Sequence, residues 1–259
     1  MDLDFTLSKY NKLCEVISNS EYIPLTVEKH LSEPNPQKFI IIRHDVDTIT
    51  ENAFKMAQME NRQCLVSTYY FRSNAISQPA LLKKIAELGH EVGYHYEVLD
   101  KSKGNYEKAI EIFKNELSEF RKIVDVKTIC MHGNSLTPYD NRDLWKFYDF
   151  NEFDIIGEAY VSIDFNKVIY FSDTSRRWDG IKYRVKDIVD VANSYSTNLR
   201  HTDDIIRLIK SSEIDQLYIL VHPARWNDSR GEWLKELISQ NVKNIGKRGL
   251  KWYKRRGNT

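Results

Sequence analysis

Five short apolar runs in this chain each end in a cluster of ionisable residues. Phe39-Ile40-Ile41-Ile42 leads into Arg43-His44-Asp45-Val46-Asp47, and Gly89-His90-Glu91-Val92-Gly93-Tyr94 leads into His95-Tyr96-Glu97. Lys127-Thr128-Ile129-Cys130-Met131 ends at His132-Gly133-Asn134, and Val168-Ile169-Tyr170-Phe171 at Ser172-Asp173-Thr174-Ser175-Arg176-Arg177-Trp178. Leu217-Tyr218-Ile219-Leu220-Val221 ends at His222-Pro223. A continuous β-branched run suits a strand buried on both faces. Five strands that deliver their last residues to one side give the arrangement of parallel α/β folds, which place their chemistry beyond the strand ends.

The segments between these runs read as helices. They span Thr50–Asn61, Pro79–Leu88, Asn105–Val124, Arg184–Asn193, Thr202–Ser211 and Gly231–Val242, with Asp143–Tyr148 as a short one. Ile110, Phe113, Leu117 and Phe120 recur at helical spacing, and Pro79 and Gly89 punctuate the ends of their helix. Cys64–Phe71 and Asp154–Ile156 are further strand candidates. The alternation predicts an α/β fold, a distorted or incomplete (β/α) barrel of about seven strands. No glycine-rich loop follows the first strand, which argues against a dinucleotide-binding sheet. Residues 1–38, with a helix expected over Phe5–Ser18, read as an N-terminal extension packed on a barrel of residues 39–259.

The 38 basic and 37 acidic residues nearly cancel, so charge gives no reason to expect nucleic acid as a partner. Lys247, Arg248, Lys251, Lys254, Arg255 and Arg256 gather around Trp252 and Tyr253 as a basic C-terminal end. Nothing approaches the ~20 apolar residues of a transmembrane span. Met1-Asp2-Leu3-Asp4-Phe5 lacks a secretory apolar core, and Cys14, Cys64 and Cys130 lack metal-type spacing. A reduced, cytoplasmic protein is the expectation.

Asp45 and Asp47 are two apart and share a face in extended chain. Adjacent carboxylates repel unless a cation or proton sits between them. One metal on Asp47 would leave Asp45 free as a base; the bland alternative is a pair of turn aspartates before Thr50. His95 is an imidazole of the type that binds metals, and Glu97 either completes the shell or orients a ligand. His132, before Gly133, is either a ligand or a partner of the catalytic carboxylate. His222, fixed by Pro223, suits a general acid across the mouth from Asp45. Arg176, Arg177 and Trp178, and again Arg225 and Trp226, pair charge with an aromatic surface for sugar recognition, although most tryptophans pack in cores.

Arg43-His44-Asp45-Val46-Asp47, Gly89-His90-Glu91-Val92-Gly93-Tyr94-His95 and Leu220-Val221-His222-Pro223 resemble, in order and spacing, three motifs of the polysaccharide deacetylases. This is carbohydrate esterase family 4, NodB-like, and the resemblance spans about residues 38 to 245. It implies a distorted barrel and one divalent metal ion, zinc, with nickel or cobalt as alternatives. By position, Asp45 would be the base, Asp47 and His95 ligands, His222 the acid, and His44 a substrate contact. The family's second ligand histidine falls on Leu99 here, so Glu97 or His132 would supply the third ligand. The family's arginine-rich third motif is replaced by Met131-His132-Gly133-Asn134-Ser135, so Arg176 or Arg177 is expected to orient the base.

The expected function is metal-dependent hydrolysis of an N- or O-acetyl group on a sugar or polysaccharide precursor. The alternatives are a non-catalytic glycan-binding barrel and a metal-independent C–N hydrolase on the same fold.

Overall fold

Among the described residues, every strand pairing is parallel. A computed structural model describes residues 3–178, 186, 189 and 199–257, with side chains of the last helix to Gly246. The strands are β1 (Ile23–Leu25), β2 (Phe39–Val46), β3 (Thr68–Phe71), β4 (Glu91–Tyr96), β5 (Thr128–Met131), β6 (Gly157–Glu158), β7 (Ile169–Ser172) and β8 (Gln216–Val221). Their order is β6-β5-β4-β3-β2-β8-β7, with β1 beside the start of β2. The sheet curls into a half-barrel, and among the described residues β6 and β7 do not pair with each other. This is the expected α/β fold with an incomplete barrel.

The helices are α1 (Leu7–Ser18), α2 (Val27–Ser32), α3 (Thr50–Arg62), α4 (Pro79–Glu87), α5 (Val98–Ser102), α6 (Tyr106–Arg121), α7 (Thr202–Ser211) and α8 (Arg230–Gly257). Local chemistry sets several ends. The Thr6 hydroxyl accepts from the Lys9 amide to start α1, and the Asn105 side chain accepts from the Lys108 amide to start α6. Gly89, at φ 89°, turns the chain after α4 into a backbone region open mainly to glycine. No described helix is long and apolar enough to cross a membrane.

All eight residues of β2 are buried, as expected for a central parallel strand. Its two faces serve different layers. Ile40 and Ile42 pack with Tyr10, Leu13, Cys14 and Ile17 of α1, whereas Phe39 and Ile41 join the cluster holding Tyr70, Tyr170 and Tyr218. In this N-terminal part β1 extends the sheet and α1 fills one of its two apolar layers.

Some boundaries differ from expectation. Cys64 has φ 56°, so the chain turns there and β3 begins only at Thr68. Asp154, at φ 53°, closes a 3-10 turn over Phe150–Phe153, which moves the strand expected at 154–156 to Gly157–Glu158. The short helix expected at Asp143–Tyr148 is a 3-10 helix over Asn141–Lys146. The closing helix runs well past Val242. The helix expected over Arg184–Asn193 lies largely outside the described residues, as do the side chains of the basic C-terminal end.

Candidate active site

A cavity of about 340 Å³ opens at the carboxyl ends of the strands. Asp45, Asp47, His95, His132, His222 and Arg225 line it, and Gln240, Lys243 and Gly246 of α8 form a further wall. The strand ends of β2, β4, β5 and β8 thus deliver the candidate residues to one space. Gly93 helps to set the spacing: a Cβ there would lie 2.4 Å from the Tyr70 ring, so only glycine lets β4 approach β3 this closely.

On the β2 side, Arg43 forks both oxygens of Asp45, Nε to Oδ1 at 2.7 Å and Nη2 to Oδ2 at 2.6 Å. The guanidinium is fully buried, 4.2 Å from the centre of the Tyr160 ring. Burial is the largest influence and would raise the Asp45 pKa, but the charge and hydrogen bonds of Arg43 together with His95 and His222 hold the carboxyl below its usual value. Arg43 is therefore the arginine on Asp45. Arg176 and Arg177, expected in that role, lie away from it along a second cavity.

Asp47 follows β2 directly. Its Oδ1 is buried without a hydrogen-bond partner, 3.5 Å from His95 Nε2 and 3.6 Å from His132 Nε2. Burial would raise its pKa, but the surrounding imidazoles hold it well below the carboxylate range. His95 Nδ1 donates to the Cys130 carbonyl at 3.0 Å, which leaves the Nε2 lone pair free. His132 is positioned by its amide, which donates to the Tyr96 carbonyl at 2.7 Å. Its Nδ1 lies 3.1 Å from Glu97 Oε2. Glu97 is itself held by Arg72 Nη2, 2.7 Å from each oxygen. Against the burial effect, His132 and Arg72 push its pKa down to about 2. Glu97 thus lies behind His132 on the side away from Asp47, at ion-pair distance but without hydrogen-bond geometry to Nδ1, a position from which a carboxylate can orient a metal-binding imidazole. Leu99, where the resemblance implied a ligand, is buried in the core.

Asp47, His95 and His132 fit a divalent ion: one carboxylate and two imidazoles with free Nε2 atoms, around an oxygen that lacks any other partner. Among the described residues, the group that brings one ligand atom each within 4.8 Å of one another is instead Asp45, His95 and Cys130. That set is the poorer host, because Asp45 already receives the Arg43 fork and the guanidinium charge opposes a second cation there.

On the β8 side, His222 Nδ1 lies 2.6 Å from Asp173 Oδ1, and the Arg225 Nη1 donates to the same oxygen at 2.5 Å. Asp173 Oδ2 accepts from the His222 amide and from Trp226 Nε1, both at 2.9 Å. Burial works against this carboxylate, yet Arg225 and His222 push its pKa down to about 2. With Nδ1 engaged, the His222 Nε2 is the nitrogen left for a ligand in the cavity.

Other expected contacts lie elsewhere. His44 is fully buried on the opposite face of β2, 2.7 Å from Glu60 and stacked on Tyr69. The alternation of the strand sends it away from Asp45, so it does not reach the cavity. Trp178 and Trp226 are 1% and 0% exposed and pack against Phe5, so neither offers a sugar platform. Asp173, Arg43 and Arg72 were given no role from sequence. Asp173 carried one available signal, its place directly after β7.

No protein-family model and no curated protein matches the sequence. Solved structures similar to the chain include the Xyl-CE4 domain of a multidomain xylanase from the hindgut metagenome of Trinervitermes trinervoides. There the identity is 13% and the TM-score 0.45, over 82% of this chain and 85% of that one. The catalytic domain of peptidoglycan N-acetylglucosamine deacetylase from Eubacterium rectale gives 13% and 0.45, over 82% and 87%. A CE4 family pseudoenzyme from Bacillus anthracis gives 12% and 0.44, over 80% and 61%. The chain spans about three fifths of that pseudoenzyme. These likenesses are too distant to assign chemistry, which rests on the side chains above.

Proposed function

We propose that the chain is a divergent hydrolase of the polysaccharide-deacetylase type. It would remove an acetyl group from an acetylated sugar or glycan precursor with one divalent ion, zinc by the donor set, held by Asp47, His95 and His132. The observation that carries the reading is the unpartnered Asp47 Oδ1 between two imidazoles, in a cavity shared with Asp45 and His222. A decayed binding site has no need of a base and an acid, each with its own buried partner.

When bound, the ion would supply Lewis acidity toward the acetyl carbonyl and the attacking water. The Asp45 carboxylate, kept ionised by Arg43, takes the proton from that water as its oxygen bonds to the carbonyl carbon. The His222 Nε2 gives a proton to the leaving nitrogen or oxygen as its bond to that carbon breaks. Acetate and the free amine or hydroxyl result. Asp173 holds the His222 ring so that Nε2 faces the cavity, and Arg225 fixes Asp173. Glu97 holds the His132 ring.

The test is acetate release from N-acetylglucosamine oligomers and O-acetylated xylan by zinc-loaded protein, with and without chelator. Asp45→Asn and His222→Ala should each abolish release without unfolding the chain. Full activity in either variant sinks the assignment. Chelator-resistant release would favour a metal-independent hydrolase, and sugar binding without release a glycan-binding barrel.

A further inference from the structure

A second cavity of about 330 Å³ adjoins the first, and Gln240 lines both. Its walls are the turn after β7, Ser175, Arg176 and Arg177, and one face of α8 that includes Asn241 and Asn244. Arg176 and Arg177 line this space, and among the described residues no acidic side chain does.

Arg176 is an unusual cation. Its side chain is buried between the rings of Phe5 and Trp233, and its hydrogen bonds go to backbone carbonyls of Arg225 and Asp4. Among the described residues, no carboxylate lies within ion-pair distance of it. Burial pushes its pKa down, and the more distant Glu236, Asp4 and Asp173 only partly offset this. A buried charge without a counter-charge is costly unless something supplies one.

The neighbouring polar atoms are also unsatisfied. Ser175 Oγ, Gln240 Oε1 and Asn244 Oδ1 are buried without hydrogen-bond partners, on residues 4%, 5% and 9% exposed. Unpartnered buried polar atoms are uncommon in folded proteins. Two of them, Ser175 Oγ and the Gln240 amide, lack partners among the described residues and with the buried arginine line one cavity, which points to a ligand there. The Ser175 hydroxyl can donate, and a half-turn of the Gln240 amide exchanges its oxygen for a donor.

We propose that this second cavity is an anion subsite for a phosphate or carboxylate carried by the sugar whose acetyl group occupies the first cavity. The part about the first cavity rests on the hydrolase reading; the anion site itself does not. Arg176, with no carboxylate within ion-pair distance among the described residues, supplies the cation for either group, and the test separates a phosphosugar from an acidic sugar. Lys243 on the shared wall adds a further cation along the way.

The test is calorimetric binding to the zinc-loaded full chain. N-acetylglucosamine 1-phosphate is compared with N-acetylglucosamine, and glucuronate with glucose. The expected result is at least about tenfold tighter binding of the anionic member of a pair. Preference in the phosphate pair assigns a phosphosugar, and preference in the glucuronate pair an acidic sugar. Arg176→Gln should bring the ratio close to one. Where that variant does not fold, Arg177→Gln, whose side chain is partly exposed, should lower the ratio severalfold. Equal binding within both pairs overturns the subsite. So does a preference that both arginine variants retain and His132→Ala loses, because that anion sits on the metal. Preference without acetate release leaves the subsite standing and removes the hydrolase reading; release without preference does the reverse.

Discussion

Glu97→Gln separates a ligand from a residue that orients one. The substitution keeps the shape and leaves one acceptor oxygen for Arg72, but removes the charge 3.1 Å behind His132 Nδ1. Removing such an outer partner typically costs roughly 10–100-fold in metal affinity. That corresponds to about 1.4–2.7 kcal/mol. His132→Ala removes a donor atom outright and should weaken zinc binding further, leaving Asp47 and His95 alone. The Glu97 side chain is only 12% exposed, so little solvent screens its contact with Arg72. Converting charge-assisted bonds to neutral ones should cost about 1–2 kcal/mol of stability. For a chain of this size that is a fall of roughly 2–8 °C in Tm. Zinc affinity is read by competition with a chromophoric chelator on wild type and both variants. An effect of Glu97→Gln equal to or larger than that of His132→Ala would show that Glu97 itself binds the ion. Unchanged affinity in both would mean that the ion is not held by this set.

Asp45→Asn should lower turnover by about 10²–10⁴-fold, the usual share of a general base, while zinc content stays at the wild-type value. Loss of zinc with loss of turnover would make Asp45 a ligand instead. Asp173→Asn should lower kcat by about 10²-fold or more with little change in KM, since the ring it orients acts only as the leaving group departs. A kcat within threefold of wild type would separate Asp173 from the acid step. Glu60→Gln should change stability and not turnover. Burial would raise the Glu60 pKa, but His44, His90 and the Tyr10 hydroxyl lower it from 4.5 to about 2. A carboxyl depressed in the folded state contributes stability above its unfolded pKa and loses it as pH falls toward the folded value. Wild-type urea midpoints should therefore fall more steeply than those of Glu60→Gln between about pH 5 and 3; parallel profiles would refute this.

The fold was legible because a central parallel strand has to be apolar on both faces, and Phe39–Ile42 and Leu217–Val221 are. The strand ends were legible for the same reason: charge appears where burial stops. What was hidden came from short or irregular pieces. β1 has three residues and too little pattern to show, yet it joins the sheet. Face assignment failed at His44, which stands beside Asp45 in sequence and therefore on the opposite side of the strand. Tryptophans read as sugar platforms proved to be packing, because ring area is favoured inside and Trp226 finds Asp173 for its N–H. The third ligand could not be chosen from spacing. The choice between Glu97 and His132 depends on Arg72, which claims both Glu97 oxygens from a strand end that sequence gave no reason to inspect.

Under the proposed hydrolysis, the site would set a base, Asp45, and an acid, His222, in one cavity without letting them quench each other. A bare aspartate beside a protonated histidine would form an ion pair, or pass the proton across, and neither group would be ready for its step. Here each has a private partner. Asp45 is engaged by Arg43, whose charge keeps the carboxylate unprotonated from below the strand ends. His222 is engaged through Nδ1 by Asp173, and Arg225 and Trp226 bind that carboxylate in turn. Both partners are fully buried, so their fields are weakly screened and persist when a ligand fills the mouth. Between the two pairs sits Asp47, whose unpartnered oxygen faces imidazoles that themselves gain from a cation or a proton. A divalent ion there would complete the neutralisation that Arg43 and Arg225 carry out on either side. On that reading His132 on β5 would stand in for a histidine at position 99: the requirement would be an imidazole facing Asp47, and β5 ends within reach of it.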